Sequence, residues 1–211
     1  GALIEVWSGM KFGEYMKKHL LEPLGMKRTF FGVPKDEELL SQMAARYIYD
    51  KDKNVVRLPL ECPFNFTDEY ESGGAGLVSC TEDYALFLDA LANGGIGKSG
   101  KRILSPSSVE LMRTNHLKGK QLEDFDLLRK GYGYGLGVRT HLDPSRSGSI
   151  SPIGEFGWDG AAGGFSMVDV KNKISLTYFQ QMHNWDVGIQ NKIRNALYSD
   201  LNQLTNTKGK G

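Results

Sequence analysis

The chain has 211 residues, enough for one domain or a large piece of one, and at that size about 70% of the unfolded surface can be buried. Lys plus Arg number 26 against 25 Asp plus Glu, so the formal net charge of +1 excludes nucleic acid and acidic membrane surfaces as partners drawn by a long-range field. No apolar run approaches the roughly 20 residues that cross a bilayer, and no basic stretch, apolar core and cleavage site open the chain. Cys62 and Cys80 lie outside C-x-x-C spacing and read as free thiols, which leaves the redox compartment and the localisation open.

From Ala2 to Trp7, Leu3, Ile4 and Trp7 recur at helical spacing with no cap before them, so the chain is expected to begin inside a helix. Ser8-Gly9 breaks it, and a second amphipathic segment from about Phe12 to Leu21 ends at Pro23 and Gly25. Residues Ala44 to Asp50 and Val55 to Leu58 are β-prone and flank the polar turn Lys51 to Asn54, the pattern of a hairpin. Ser79 stands three residues before Glu82, the spacing of a capping box. Tyr84, Phe87, Leu88 and Leu91 then share one helical face until Asn93-Gly94-Gly95 stops it. Ser105-Pro106 places an N-cap and a first-turn proline before a short helix through Met112.

Between Lys118 and Lys130 the pattern is polar and reads as loop. At Tyr132 the period changes to two, with Tyr132, Tyr134, Leu136 and Val138 alternating with glycines. That predicts one strand whose bare face lets a neighbouring backbone lie close. Pro144 to Pro152 reads as loop, followed by strands at about Ile153 to Trp158, Phe165 to Val170 and Ile174 to Gln181, the last two joined tightly through Lys171-Asn172. Ile189, Ile193, Ala196, Leu197, Leu201 and Leu204 repeat at three and four residues as one long helix packing on that sheet, with a frayed tail at 205–211. The class is α+β: an antiparallel sheet with a packed C-terminal helix plus a helical region, in a single region 1–211.

Three patterns that could carry chemistry read as structural. Ser8-Gly9-Met10-Lys11 has the Ser-x-x-Lys spacing that puts an amine one helical turn from a hydroxyl, but it falls at a helix end with no apolar bracket. His19, His116, His141 and His183 are scattered, with no metal-ligand spacing, so no metal is expected. Gly94 to Ser99 looks like a phosphate loop but follows a helix instead of a strand, so it reads as a turn and no cofactor is expected. There remains the run Gly157 to Gly164. A strand end of small residues can bind substrate along its edge and donate one N–H to a developing oxyanion; a glycine-rich bend with a buried Trp is an equal reading of the same residues.

The run GEFGWDGAAGGFSMVD, Gly154 to Asp169, resembles the third active-site motif of the serine β-lactamase-like superfamily, which embraces class C β-lactamases, penicillin-binding proteins and esterases. EPLGM at Glu22 to Met26, SGGAGLVSCTEDYALFLDALANGG from Ser72 to Gly95, KRILSPSSVELM from Lys101 to Met112 and YGYGLGV from Tyr132 to Val138 agree in order. The resemblance implies a β-lactamase/transpeptidase-like fold and a serine hydrolase working through an acyl-enzyme. Its Ser-x-x-Lys and Tyr-x-Asn would lie upstream of Gly1, so no catalytic residue falls within this chain. It also implies a substrate-binding and oxyanion role for Trp158, Asp159, Gly160 and Ala161, the N–H of Ala161 matching the second oxyanion donor.

Trp158 stands where family members carry Lys, His or, in esterase-like members, Trp; an apolar wall there in place of Lys, with Asp159 adding negative charge, makes the expectation an ester, amide or peptide-like acyl substrate rather than a penicillin-like anion. As a C-terminal portion the chain is expected to be inactive alone. Its expected partners are the small acyl or peptide substrate, the N-terminal part of the same protein and, through an exposed apolar face that includes the Tyr84 to Leu91 helix, itself. The alternative is a noncatalytic module of the same fold that binds peptide or peptidoglycan along the same strand edge.

Overall fold

The computed structural model describes residues 1–32, 34, 36–59, 70–183 and 188–208. Cys62 and the last three residues of the expected tail lie outside the described residues. The helices are α1 (Ala2–Ser8), α2 (Phe12–Met16), α3 (Glu22–Leu24), α4 (Glu37–Ser41), α5 (Thr81–Ala92), α6 (Pro106–Arg113), α7 (Lys120–Leu128), α8 (Pro144–Ser147) and α9 (Gly188–Lys208). A π-helical turn, Lys17–Leu21, joins α2 to α3. The strands are β1 (Phe30–Phe31), β2 (Arg46–Tyr49), β3 (Val55–Leu58), β4 (Leu77–Val78), β5 (Tyr132–Tyr134), β6 (Arg139–His141), β7 (Phe156–Gly157), β8 (Phe165–Asp169), β9 (Ile174–Tyr178) and β10 (Met182–His183).

The centre of this α+β fold is an antiparallel five-stranded sheet in the order β5-β6-β7-β8-β9. Every residue of β8 is buried, because both faces of the sheet are covered. Phe165 and Met167 point to α9, where Tyr198, Ile193, Leu197 and Leu201 meet them; the alternate residue Val168 points to the α5–α6 side with Phe156, Leu88, Leu91 and Val109. The α9 face therefore follows the apolar repeat of its sequence. A smaller sheet, β10-β2-β3, contains the expected hairpin, with Arg46 opposite Leu58 and Tyr49 opposite Val55.

Several expectations are corrected locally. Helix α5 starts at Thr81 after Cys80, which gives no side-chain cap. The Ser79 hydroxyl is drawn instead to Thr29 Oγ1, 2.8 Å away, and Thr29 in turn donates to Asp83, so the first turn of α5 spends its polar groups on the segment leading into β1. Ser105 does cap α6, accepting from the Ser108 N–H at 3.0 Å. The polar stretch expected as loop is helix α7. Leu122 and Phe125 are half-buried, the Phe125 ring 5.5 Å from Tyr134, while Leu127 and Leu128 are exposed, so no wide apolar stripe signals this helix.

The single strand expected from Tyr132 to Val138 is two strands and a turn: Tyr134 pairs with Arg139, Gly135 N–H donates to Val138 C=O, and Gly137 takes φ 78°. The glycine alternation reflects close approach, since a Cβ at Gly135 would be driven into the Met112 carbonyl at the end of α6. Within Pro144 to Pro152 the short helix α8 forms under an Asp143 cap. Helix α5 buries Leu88 and Leu91 and half-buries Tyr84 and Phe87, so the apolar face expected to be exposed there is largely covered; Leu3, Val6 and Trp7 of α1 are among the large apolar side chains that are exposed.

Candidate functional site

Strand β7 is held on both sides, Phe156 opposite Thr140 and Val168, Gly157 opposite Arg139. A side chain at Gly157 would collide with the Ser166 backbone, so the glycine lets β7 and β8 close up. Beyond Gly157, strand β6 has no further partner to offer and the chain continues along β8 alone. Ser166 N–H donates to Trp158 C=O at 2.9 Å, Asp159 sits opposite Phe165, and Gly160 N–H donates to Gly164 C=O at 2.7 Å. Gly163, at φ 92°, closes the bend by donating to Gly160 C=O.

Because backbone groups alternate along a strand, bonds from Trp158 and Gly160 to β8 turn the N–H and C=O of Asp159 to the opposite, open side. Among the described residues nothing pairs with the Asp159 or Ala161 N–H. The segment thus offers a short unpaired edge with backbone donors, the geometry that an oxyanion or an extended substrate needs.

Trp158 is 39% exposed and stands edge-on to Tyr134, with centroids 5.5 Å apart. Its neighbour behaves oppositely. The Asp159 side chain is only 4% exposed and turns away from the open edge. Its Oδ2 accepts from Arg129 at 2.6 Å, and its Oδ1 lies 3.9 Å from Arg139 Nε. The negative charge expected at the substrate edge is therefore directed into the protein and compensated there. Arg139 also pairs with Glu155 at 3.1 Å, and Glu155 lies 3.7 Å from Arg194 of α9, whose guanidinium covers the Phe165 ring at 4.7 Å. These buried charges fix the back of the site to α9.

Tyr132 lies under Arg139, and burial, aided by the Glu155 charge, pushes its hydroxyl up to about 12. Burial likewise raises Tyr84, which packs edge-on to Phe87 and against Phe179.

The four expected residues Trp158, Asp159, Gly160 and Ala161 thus lie together on one edge, with Trp158 facing solvent and Asp159 facing the interior. Arg129, Arg139, Glu155 and Arg194 were not anticipated. The available signal was one charged residue, Glu155, inside the expected strand Ile153 to Trp158 and another, Arg139, directly after the expected strand Tyr132 to Val138; on adjacent strands two such residues are candidates to neutralise each other. Ser8 caps nothing but the Met10 N–H, and Lys11 serves as the N-cap position of α2. Lys98, in the run that mimics a phosphate loop, pairs with Asp89 at 3.2 Å. Among the scattered histidines His141 is fully buried, bonded through Nε2 to Ser147 Oγ at 2.7 Å.

A family model described as Beta-lactamase matches residues 1–198. Protein Rv1367c of Mycobacterium tuberculosis is 30% identical over 174 residues, covering 80% of this chain and 43% of that protein. Among solved structures, a LovD6 mutant of simvastatin synthase from Aspergillus terreus superposes with a TM-score of 0.81 at 20% identity, covering 96% of this chain and 53% of that one. EstCE1, described as a hydrolase with promiscuous acyltransferase activity, superposes with a TM-score of 0.76 at 22% identity, covering 93% and 53%. The chain spans less than half of the curated relative and about half of the solved structures, whose likeness at these identities is one of fold. By the family model and the ordered segments alike, the chain belongs to the β-lactamase family.

Proposed function

We propose that the protein is a serine hydrolase acting on ester, amide or peptide-like acyl substrates through an acyl-enzyme, and that this chain supplies the substrate-binding wall. The nucleophilic Ser, its Lys and the assisting Tyr come from residues outside this chain, so the chain by itself turns over no substrate. The carrying observation is the open edge at 158–161, where two backbone N–H groups stand unpaired among the described residues beside an exposed aromatic ring. The acyl group lies against Trp158, and the Ala161 N–H donates to the carbonyl oxygen as it becomes an oxyanion. One preorganised donor of this kind contributes about 3 to 4 kcal/mol to the transition state. Water then attacks the acyl-enzyme and releases the acid.

Two further observations favour this reading. The structural neighbour EstCE1 is described as a hydrolase with promiscuous acyltransferase activity, and another, from Streptomyces, as a D-stereospecific amidohydrolase. The outer edge of β9 carries no strand among the described residues, although α5 and α9 cover its faces, which suits a sheet continued by another part of the protein.

The test is to treat the full-length protein with a fluorophosphonate and to assay nitrophenyl butyrate. Covalent labelling of one serine outside residues 1–211, with ester turnover, is expected; this chain alone should neither label nor turn over. A full-length protein that fails both assays overturns the hydrolase and leaves a noncatalytic binder.

A further inference from the structure

Behind the open edge, three guanidinium groups meet two carboxylates: Arg129, Arg139 and Arg194 against Asp159 and Glu155. This set carries one positive charge in excess. The side chains of Arg139, Arg194, Glu155 and Asp159 are at most 4% exposed, whereas Arg129 is 31% exposed. The excess charge is therefore presented to solvent at Arg129, and nowhere else in the set. Neighbouring acids do not cancel it, since Asp124 is matched by Lys120 and Asp126 by Arg146.

Arg129 is also placed by its surroundings. One NH2 is anchored on Asp159 at 2.6 Å, and the guanidinium carbon lies 5.9 Å from the centre of the Trp158 ring, on the segment that borders the open edge. A guanidinium has five N–H donors in a fixed fork, and among the described residues the remaining donors of Arg129 meet no other acceptor. A half-exposed cation, oriented by a buried carboxylate and left with unspent donors, suits bidentate capture of a second carboxylate.

We propose that Arg129, held by Asp159 beside Trp158, is a specificity-determining residue that binds a carboxylate of the substrate, so that the site favours carboxylate-bearing acyl compounds over neutral ones. That role presupposes that residues 158–161 line the substrate edge of an acyl-transfer site. It reverses the preference expected from the sequence, in which Asp159 counted as a charge facing the substrate. The carboxylate can belong to the acyl part or to the leaving group; the chemistry at Arg129 is the same.

The experiment uses the full-length protein with three substrates: mono-nitrophenyl glutarate, its neutral methyl ester, and the butyrate ester of a carboxyl-bearing nitrophenol. Wild type is expected to prefer at least one carboxylate substrate over the methyl ester by about tenfold or more in kcat/KM, mainly through KM, with the preference shrinking at high salt. Which of the two is preferred tells whether the carboxylate sits on the acyl or the leaving side. Arg129→Gln should reduce the selectivity ratio by about tenfold, equivalent to about 1.4 kcal/mol, and Arg129→Lys should restore part of it, the remainder reflecting the lost fork. A wild type without preference, or an Arg129→Gln variant that lowers kcat/KM for charged and neutral substrates by the same factor, overturns the proposal.

Glutarate binding, followed by the Arg129 side-chain nitrogen resonances of the full-length protein, separates the two levels of inference. Binding that Arg129→Gln abolishes, in a protein with no acyl-enzyme, leaves the carboxylate site standing and removes the hydrolase. Ester turnover without glutarate binding or selectivity removes the carboxylate site alone.

Discussion

Replacing Arg139 by Met tests whether the buried charges hold the site to the rest of the fold. The guanidinium is 2% exposed, pairs with Glu155 Oε1 at 3.1 Å, and stands 3.9 Å from Asp159 Oδ1. Met keeps most of the volume and removes the charge, so the dominant cost is the carboxylate left behind. Removing one partner of a buried pair typically costs about 3 to 5 kcal/mol. Glu155 retains Arg194 at 3.7 Å and Asp159 retains Arg129 at 2.6 Å, which places the expected loss near the lower bound, about 3 kcal/mol.

For a chain of this size that loss corresponds to a fall in Tm of roughly 6 to 12 °C. The assay is urea unfolding followed by circular dichroism, on Arg139→Met, Glu155→Gln and the double variant. Glu155→Gln strands Arg139 and Arg194, so it alone should cost a similar amount. The double variant should cost less than the sum of the singles by about 0.5 to 3 kcal/mol, the range for residues in one network. A loss below about 1 kcal/mol for Arg139→Met, or additivity within about 0.5 kcal/mol, would refute the idea that these charges act as one unit.

Gly135→Ala drives a methyl group into the Met112 carbonyl, so the α6–β5 contact must open; a loss of about 2 to 3 kcal/mol in urea unfolding is expected, and a neutral change would mean that this approach is not tight. Ser105→Ala removes the cap on α6 and should cost about 1 kcal/mol in the same assay, with Ser105→Asp close to wild type. Tyr132 has a folded-state pKa raised to about 12 against about 10 when unfolded, so the stabilisation from its neutral form is complete below pH 10 and is lost as pH climbs to 12. That is about 2 to 3 kcal/mol over the interval. Tyr132→Phe should lose stability less steeply than wild type between pH 10 and 12, and parallel curves would show that the hydroxyl does not titrate as its burial demands.

How far the chain can be read before it folds differs from segment to segment. Helix α9 and strands β8 and β9 are legible because each has a full apolar face, and burying such a face is the largest local term in folding. The α6 cap is legible because Ser-Pro satisfies its own first turn. Helix α7 is not, since Phe125 packs inward while Leu127 and Leu128 face solvent, and polar sequence without a wide stripe carries no period. The break between β5 and β6 is hidden for a related reason: bulky-and-glycine alternation describes a strand and a strand–turn–strand equally well until a partner fixes the register.

The sequence by itself determined the α+β class, the antiparallel order of the last strands and the place of the 158–161 edge, because each rests on neighbours in the chain: periodicity, turn residues and an ordered set of short segments. Only the tertiary structure decided which way Asp159 points. Its cations, Arg129 and Arg139, arrive from the end of a helix 30 residues away and from the adjacent strand, and a buried carboxylate must turn to its cations wherever the fold places them.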